Sequence, residues 1–175
     1  MIGELKHRTL IVLSGLPGTG KTTIARELVA RVRSVYLRID AIEHALKTAS
    51  GSAKDVGPAG YVVAYALARS NLALGMSVVA DCVNPLSVTR EAWRAVATET
   101  LSHLVEVEVV CSDVAEHHRR VESREADLAG SALPSWEAVL RHDYEAWGTE
   151  RLVVDSALVS AGEAADVIWR RVRER

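Results

Sequence analysis

The sequence predicts an α/β protein: an open parallel sheet with helices packed on both faces. Two observations carry this. Short aliphatic runs alternate with longer amphipathic stretches along the chain, and the first run, TLIVLS at 9–14, passes through a glycine-rich loop into a helical pattern. Strands alternating with helices join as right-handed βαβ units, which build parallel sheets.

Five strands are predicted: 9–14 (TLIVLS), 35–39 (VYLRI), 76–81 (MSVVAD), 104–110 (LVEVEVV) and 151–155 (RLVVD). Several are Val/Ile/Leu-rich without alternation, as expected of strands covered on both faces. Ile24, Leu28 and Val32 recur every four residues and predict the first helix. YVVAYALARSNLAL, 61–74, predicts a long one. Leu86, Trp93, Val96 and Ala97 form an apolar stripe, and so do Ala161, Ala164, Ile168 and Val172. The arginines at 170, 171, 173 and 175 suit the C-terminal end of that last helix. Residues 112–127, SDVAEHHRRVESREAD, read as a helix with Val114, Val121 and Leu128 on one face. The segments 48–60 and 126–135 have the composition and length of lids or substrate loops, and a helix is predicted from near Trp136.

The 175 residues fit one domain, 1–175, with a small lid at about 117–135. A net charge of −2 gives no general electrostatic reason to bind nucleic acid or an anionic membrane. No stretch reaches the roughly 18 apolar residues of a membrane span, and MIGELKHRTL lacks the apolar segment of a signal peptide. Cys82 and Cys111 fall at the ends of predicted strands and read as small buried hydrophobes, not a disulfide. The expectation is a cytoplasmic monomer or homodimer.

Gly15-Leu16-Pro17-Gly18-Thr19-Gly20-Lys21-Thr22 matches the P-loop pattern Gly-x4-Gly-Lys-Ser/Thr, framed by a strand before and a helix after. The bare backbone has a task there. Successive N–H groups surround phosphate oxygens, and the helix that follows adds its N-terminal dipole. Lys21 can reach the outer phosphates, the Thr22 hydroxyl can ligate Mg²⁺, and Thr23 continues the phosphate-binding run.

Phosphoryl transfer also needs an oriented acceptor, often a base, and cations for the moving charge. Asp40 closes the second predicted strand and Asp81 the third. Ligands of open α/β sheets bind beyond the C-terminal strand ends, so both carboxylates should face the γ-phosphate. Asp81 resembles a Walker B acid, holding Mg²⁺ directly or through water. Asp40 is suited to take a proton from an acceptor hydroxyl. The roles are interchangeable at this level, and each could instead cap a helix. Arg120 and Arg124 lie four apart beside the second loop and are the candidate lid cations; the alternative is a solvated face paired to Glu116 and Glu125. His117 and His118 diverge by about 100° on a helix, and no Cys or second His stands at zinc-site spacing.

GLPGTGKTTIA, LRIDAIEHAL, VVADCVNPLSVTREAWR, VVCSDVAEHHRRVESREAD and LPSWEAVL followed by LVVDSA resemble the small P-loop kinases of the nucleoside-monophosphate-kinase-like fold. Adenylylsulfate kinase, gluconate kinase and chloramphenicol phosphotransferase are of this group, often labelled AAA-family ATPases. The resemblance implies a three-layer α/β/α fold with sheet order 2-3-1-4-5, and transfer of the ATP γ-phosphate to a hydroxyl of a small molecule. It implies that Asp40 is a general base, and that Asn84, Pro85 and Arg90 help hold the acceptor. It also implies that DSALVSAGE, 155–163, contributes to the adenine pocket. Asp81 departs from the adenylylsulfate kinase pattern, which lacks an acid there. The acceptor class stays open among metabolite, nucleoside and antibiotic. Other readings are a nucleotide or polynucleotide kinase, a zeta-toxin-like kinase, and a nucleotide switch acting on a protein partner.

Overall fold

The computed structural model describes residues 8–51, 56–123 and 133–174. Its elements are β1 (Thr9–Ser14), α1 (Lys21–Arg31), β2 (Ser34–Arg38), α2 (Ile39–Ser50), α3 (Ala59–Ala73), β3 (Ser77–Asp81), α4 (Ser87–Glu99), β4 (His103–Val110), α5 (Val114–Glu122), α6 (Trp136–Leu140), β5 (Leu152–Asp155) and α7 (Ala161–Arg173). The five strands are all parallel, in the order β2-β3-β1-β4-β5. This is the expected P-loop sheet.

The non-alternating strands have a physical reason. Ile11, Leu13, Val79, Val105, Val107, Val109 and Val154 pack against Ile24, Ala25 and Leu28 of α1 and Ala164, Ala165 and Ile168 of α7. On the opposite face, Leu10, Val12, Val78 and Ala80 meet Ala64, Ala68 and Leu72 of α3 and Trp93, Val96 and Ala97 of α4. The central strands β1 and β3 therefore need apolar residues at every position. β4 behaves differently. Glu106 and Glu108 alternate with its core valines and pair with Arg94 and Arg151, on a face crossed by an extended segment, 142–150.

Parallel pairing puts all C-terminal strand ends on one edge. Leu13, Asp81 and Arg38 are aligned side by side across β1, β3 and β2. The loop after β1 is held between its neighbours at this edge. The Gly15 N–H donates to the Val83 carbonyl at 3.0 Å. Gly15 has a φ of +143°, and a Cβ there would sit 2.2 Å from the Val109 carbonyl oxygen.

Two expectations are corrected. Val114, expected on the packed face of α5, is 66% exposed; the buried residues of that helix are His117 and Val121, one turn apart. Cys111, expected to be buried, is only partly covered, while Cys82 is buried as expected, and both are free thiols. Of the two predicted loops, 48–50 complete α2 with Gly51 as its C-cap, and 52–55 and 126–132 lie outside the described residues.

Gly15→Ala must either push the Val109 carbonyl away or abandon the turn. Left-handed strain alone is of order 1–3 kcal/mol. We expect the urea midpoint to fall by a corresponding amount with little change in slope. An unchanged midpoint would refute this account of the β1–β4 contact.

Candidate active site

The P-loop motif spans the turn from β1 to α1. Gly20 is the N-cap of α1 at φ 92°, with no side-chain cap. The first-turn amides of α1 therefore keep no side-chain acceptor of their own and present donors to an anion. Within the loop the Leu16 carbonyl gathers two donors, Lys21 Nζ and Thr19 Oγ1, each at 2.9 Å. Lys21 is 8% exposed, folded back onto this carbonyl. A phosphate entering the loop competes with Leu16 for the ammonium. Thr23, the last residue of the expected phosphate-binding run, is exposed.

Thr22 Oγ1 donates to Asp81 Oδ2 at 2.7 Å, and Tyr36 on β2 donates its phenol to the same oxygen at 2.8 Å. Asp81 is 3% exposed. An aspartate set at the end of an apolar strand thus meets the P-loop threonine, as the sequence implied. Tyr36 was not foreseen. It sits two residues before Arg38, the partner of Asp81 in the β2–β3 register.

Asp40 does not close β2, nor does it cap a helix: β2 ends at Arg38, which is itself the N-cap of α2. Asp40 lies in the first turn of α2, where a carboxylate is favoured by the dipole. Its side chain is 51% exposed and 3.6 Å from Arg38 Nη2. One buried sulfur reports how the charges converge. The Cys82 thiol is pushed up, first by burial and then by the charge of Asp81, with Lys21 opposing and Asp40 adding.

Asn84 and Arg90, implied as acceptor-holding residues, are internal. Asn84 is fully buried, at a φ of 51°. Its Nδ2 donates to Ser14 Oγ at 2.9 Å, and its N–H donates to the Tyr61 phenol oxygen at 2.8 Å. Arg90, 2% exposed, donates to the carbonyls of Asn84, Pro85, Glu145 and Ala146. Its guanidinium lies 4.1 Å from the Trp147 ring centre. Both residues brace the loop after β3, and Arg90 ties it to the 142–150 segment.

On the other side, α5 packs directly on the phosphate loop. His117 Nε2 donates to the Pro17 carbonyl at 2.8 Å, and Gly18 lies against His117 and Val121. Trp136 meets His117 edge-on and stacks on His118, their ring centres 4.9 Å apart. His117 escaped the sequence reading, although its four-residue spacing from Val121 is the signal that would have found it. Arg120 reaches across Gly20 to Ser156, donating to its hydroxyl at 2.9 Å and its carbonyl at 3.2 Å. Glu116 holds both Arg120 and Arg119, and these bonds push its carboxyl down to about 2. Arg124, the second candidate lid cation, lies outside the described residues. Asp155 accepts from the N–H groups of Ser112 and Ala157, which lowers its pKa and joins the loops after β4 and β5.

All four tyrosines of the chain have raised pKa values, each chiefly through burial; for Tyr144 the value is about 12. A folded pKa above the unfolded value near 10 stabilises the native state below that pH and withdraws the contribution as pH rises through it. We expect native protein to show no phenolate absorbance step near pH 10, with stability falling above that pH. A reversible step at 10 in folded protein would contradict the burial of these phenols.

The chain matches the AAA domain family AAA_33 over residues 10–141. No curated protein matches it. Solved structures share its fold over nearly the whole chain. A candidate kinase from Chloroflexus aurantiacus is 21% identical, with TM-score 0.75, covering 95% of this chain and 96% of its own. The Mycobacterium tuberculosis APS kinase CysC, in complex with AMPPNP and APS, is 17% identical, with TM-score 0.71 and coverage of 97% and 99%. Chaetomium thermophilum Kti12, in complex with ADP-AlF3, is 22% identical, with TM-score 0.67 and coverage of 93% and 98%. With a framed P-loop, the expected sheet order and a family match across most of its length, this chain belongs to the AAA_33 family and has the small P-loop kinase-like fold.

Proposed function

We propose that the protein is an ATP-dependent kinase that moves the γ-phosphate of ATP to a hydroxyl of a small molecule. The observation that carries this reading is what gathers at one sheet edge: Lys21 and the Thr22–Asp81 pair stand at the C-terminal ends of β1 and β3, and Asp40 lies in the first turn of the helix that follows β2. A carboxylate that reaches solvent at that edge is suited to take a proton from an acceptor hydroxyl, a task that a module only binding nucleotide would not have.

In this reading the Gly15–Thr23 backbone and the α1 dipole hold the phosphates, and the loop after β5 borders the base. The acceptor oxygen attacks the γ-phosphorus, its proton passes to the Asp40 carboxylate, and the bond to the β-phosphate oxygen breaks to release ADP. Lys21 leaves the Leu16 carbonyl and follows the charge onto the phosphates. Thr22 and Asp81 offer hard oxygen donors to magnesium, which suits a cation that retains waters and phosphate oxygens as ligands. Among the described residues no group of three His, Cys, Asp or Glu could hold a metal on its own. When bound, magnesium would neutralise phosphate charge. Tyr36 fixes the Asp81 carboxylate for that task. Arg120, anchored by Glu116 and Ser156 over Gly20, is the lid cation, and the lid spans about 117–135 within a single domain. Among the described residues no helix is long and apolar enough to cross a membrane.

A second reading is favoured by the likeness to Kti12, whose structure holds ADP-AlF3: a nucleotide switch that acts on a protein partner. The two differ in one measurable respect. A kinase releases ADP in proportion to a small acceptor, whereas a switch does so without one.

Lys21→Met should abolish transfer. The side chain is internal and donates to the Leu16 carbonyl, so a stability loss of about 1 kcal/mol is also expected. Retained turnover would sink the P-loop assignment. Asp40→Asn should lower kcat by roughly 10²–10⁴-fold while leaving ATP affinity nearly intact. A drop in thermal stability with normal kcat would make Asp40 a helix-terminus residue only.

A further inference from the structure

Leu16 to Thr19 form a tight turn inside the phosphate loop. The Thr19 N–H donates to the Leu16 carbonyl at 3.4 Å, with proline second in the turn and glycine third. Gly18 has a φ of +83°. These are the features of a type II turn, which differs from type I by rotation of its central peptide. Glycine in third place accepts either form. The local sequence therefore leaves the Pro17–Gly18 peptide able to face two ways.

A residue from another element selects one of them. His117 Nε2 donates to the Pro17 carbonyl at 2.8 Å. The C=O and N–H of a planar trans peptide point in opposite directions. A carbonyl turned to α5 thus sends the Gly18 N–H to the far side of the loop. Among the described residues that N–H has no protein acceptor. The Leu16 carbonyl is likewise taken, by Thr19 and Lys21. With these oxygens captured, the loop offers N–H groups to an anion. The reversed peptide would aim the Pro17 oxygen at the phosphates instead.

His117 is itself held. It is 7% exposed, and Trp136 meets its ring edge-on at 5.1 Å. The Trp136 N–H donates to Glu122 at 3.0 Å, which ties α6 to α5. A Cβ on Gly18 would stand 2.5 Å from Val121 Cγ2 and 3.2 Å from His117 Cδ2, so α5 sits hard against the turn. An aliphatic residue at 117 would fill this space but bring no donor.

We propose that His117 is a positioning residue for the nucleotide phosphates: its bond to Pro17 holds the peptide that directs the Gly18 N–H at the anion. The proposal rests on the phosphate-binding role given to the loop above, and holds for a kinase and a switch alike.

The test is titration of the full chain with Mg-ATP and Mg-ADP, followed by calorimetry and by the amide NMR resonance of Gly18. In the native protein, nucleotide should move the Gly18 amide proton downfield, as a hydrogen bond to phosphate does. His117→Phe keeps a ring but loses the donor; Kd for both nucleotides should rise about tenfold, and the downfield shift should shrink. His117→Gln, whose amide can donate to the same carbonyl, should bind within about threefold of native. A purely structural histidine would lower Tm in both variants and leave the Gly18 shift on binding unchanged. That result overturns the proposal, as does nucleotide binding by native protein with no Gly18 shift, or a glutamine variant that binds no better than the phenylalanine one. The native spectrum and the glutamine variant decide the matter even if His117→Phe does not fold. No nucleotide binding by native protein would overturn the phosphate-loop reading, and the proposal with it.

Discussion

The phosphate loop is fixed by how closely its backbone approaches the two strands beside it. Gly15 donates to the carbonyl of Val83 after β3, and its Cα lies against the carbonyl of Val109 in β4. No side chain can occupy that position without separating the strand ends. The loop is therefore wedged between the neighbours of β1 in the sheet, and its orientation follows from the strand order. Asp81 and Thr22 meet because β3 is hydrogen-bonded to β1 in a register that aligns Leu13 with Asp81. A different strand order would leave the same motif without its carboxylate.

The remaining contacts support this wedge from three directions. Asn84 bonds to Ser14 beneath the loop, and Arg90 staples the following segment to the carbonyls of 145 and 146. His117 bonds to Pro17 from above. Buried polar groups like these cost stability unless they find partners: Arg90 and His117 are met by backbone carbonyls and Asn84 Nδ2 by a hydroxyl, while Asn84 Oδ1 is left without a partner among the described residues. A functional inventory drawn from residue type alone confuses such braces with ligand-contacting groups, because both are conspicuous polar residues near strand ends.

This marks the boundary of what the sequence made legible. The sheet, its order and the phosphate loop were readable because they rest on local signals: aliphatic runs, helical spacing and a glycine pattern with its flanks. The Thr22–Asp81 encounter was readable through the general geometry of strand ends. Arg90 was not. Its substrate role was implied by position after β3, yet its partners are carbonyls 55 and 56 residues away, which no local pattern reveals. Tyr36 was hidden for the same reason, since its partner is fixed by β2–β3 register. His117 was partly legible. Val114, Val121 and Leu128 recur at sevens in its helix, but the spacing of four from His117 to Val121 gives the buried side. For Asp40 the sequence placed the residue correctly at the sheet edge but put it on the strand, one step short of the helix that carries it.

That step has a chemical consequence. A carboxylate at the end of β2 would lie in the aligned row of Arg38, Asp81 and Leu13, inside the sheet edge. In the first turn of α2 it stands clear of that row, half exposed, with the Arg38 guanidinium 3.6 Å away. Asp81, by contrast, is buried and already accepts two hydroxyl hydrogen bonds, which fix its carboxylate away from solvent. The two aspartates, interchangeable as letters in the sequence, are made unlike by their surroundings: one is buried between two hydroxyl donors, the other half exposed on the first turn of a helix.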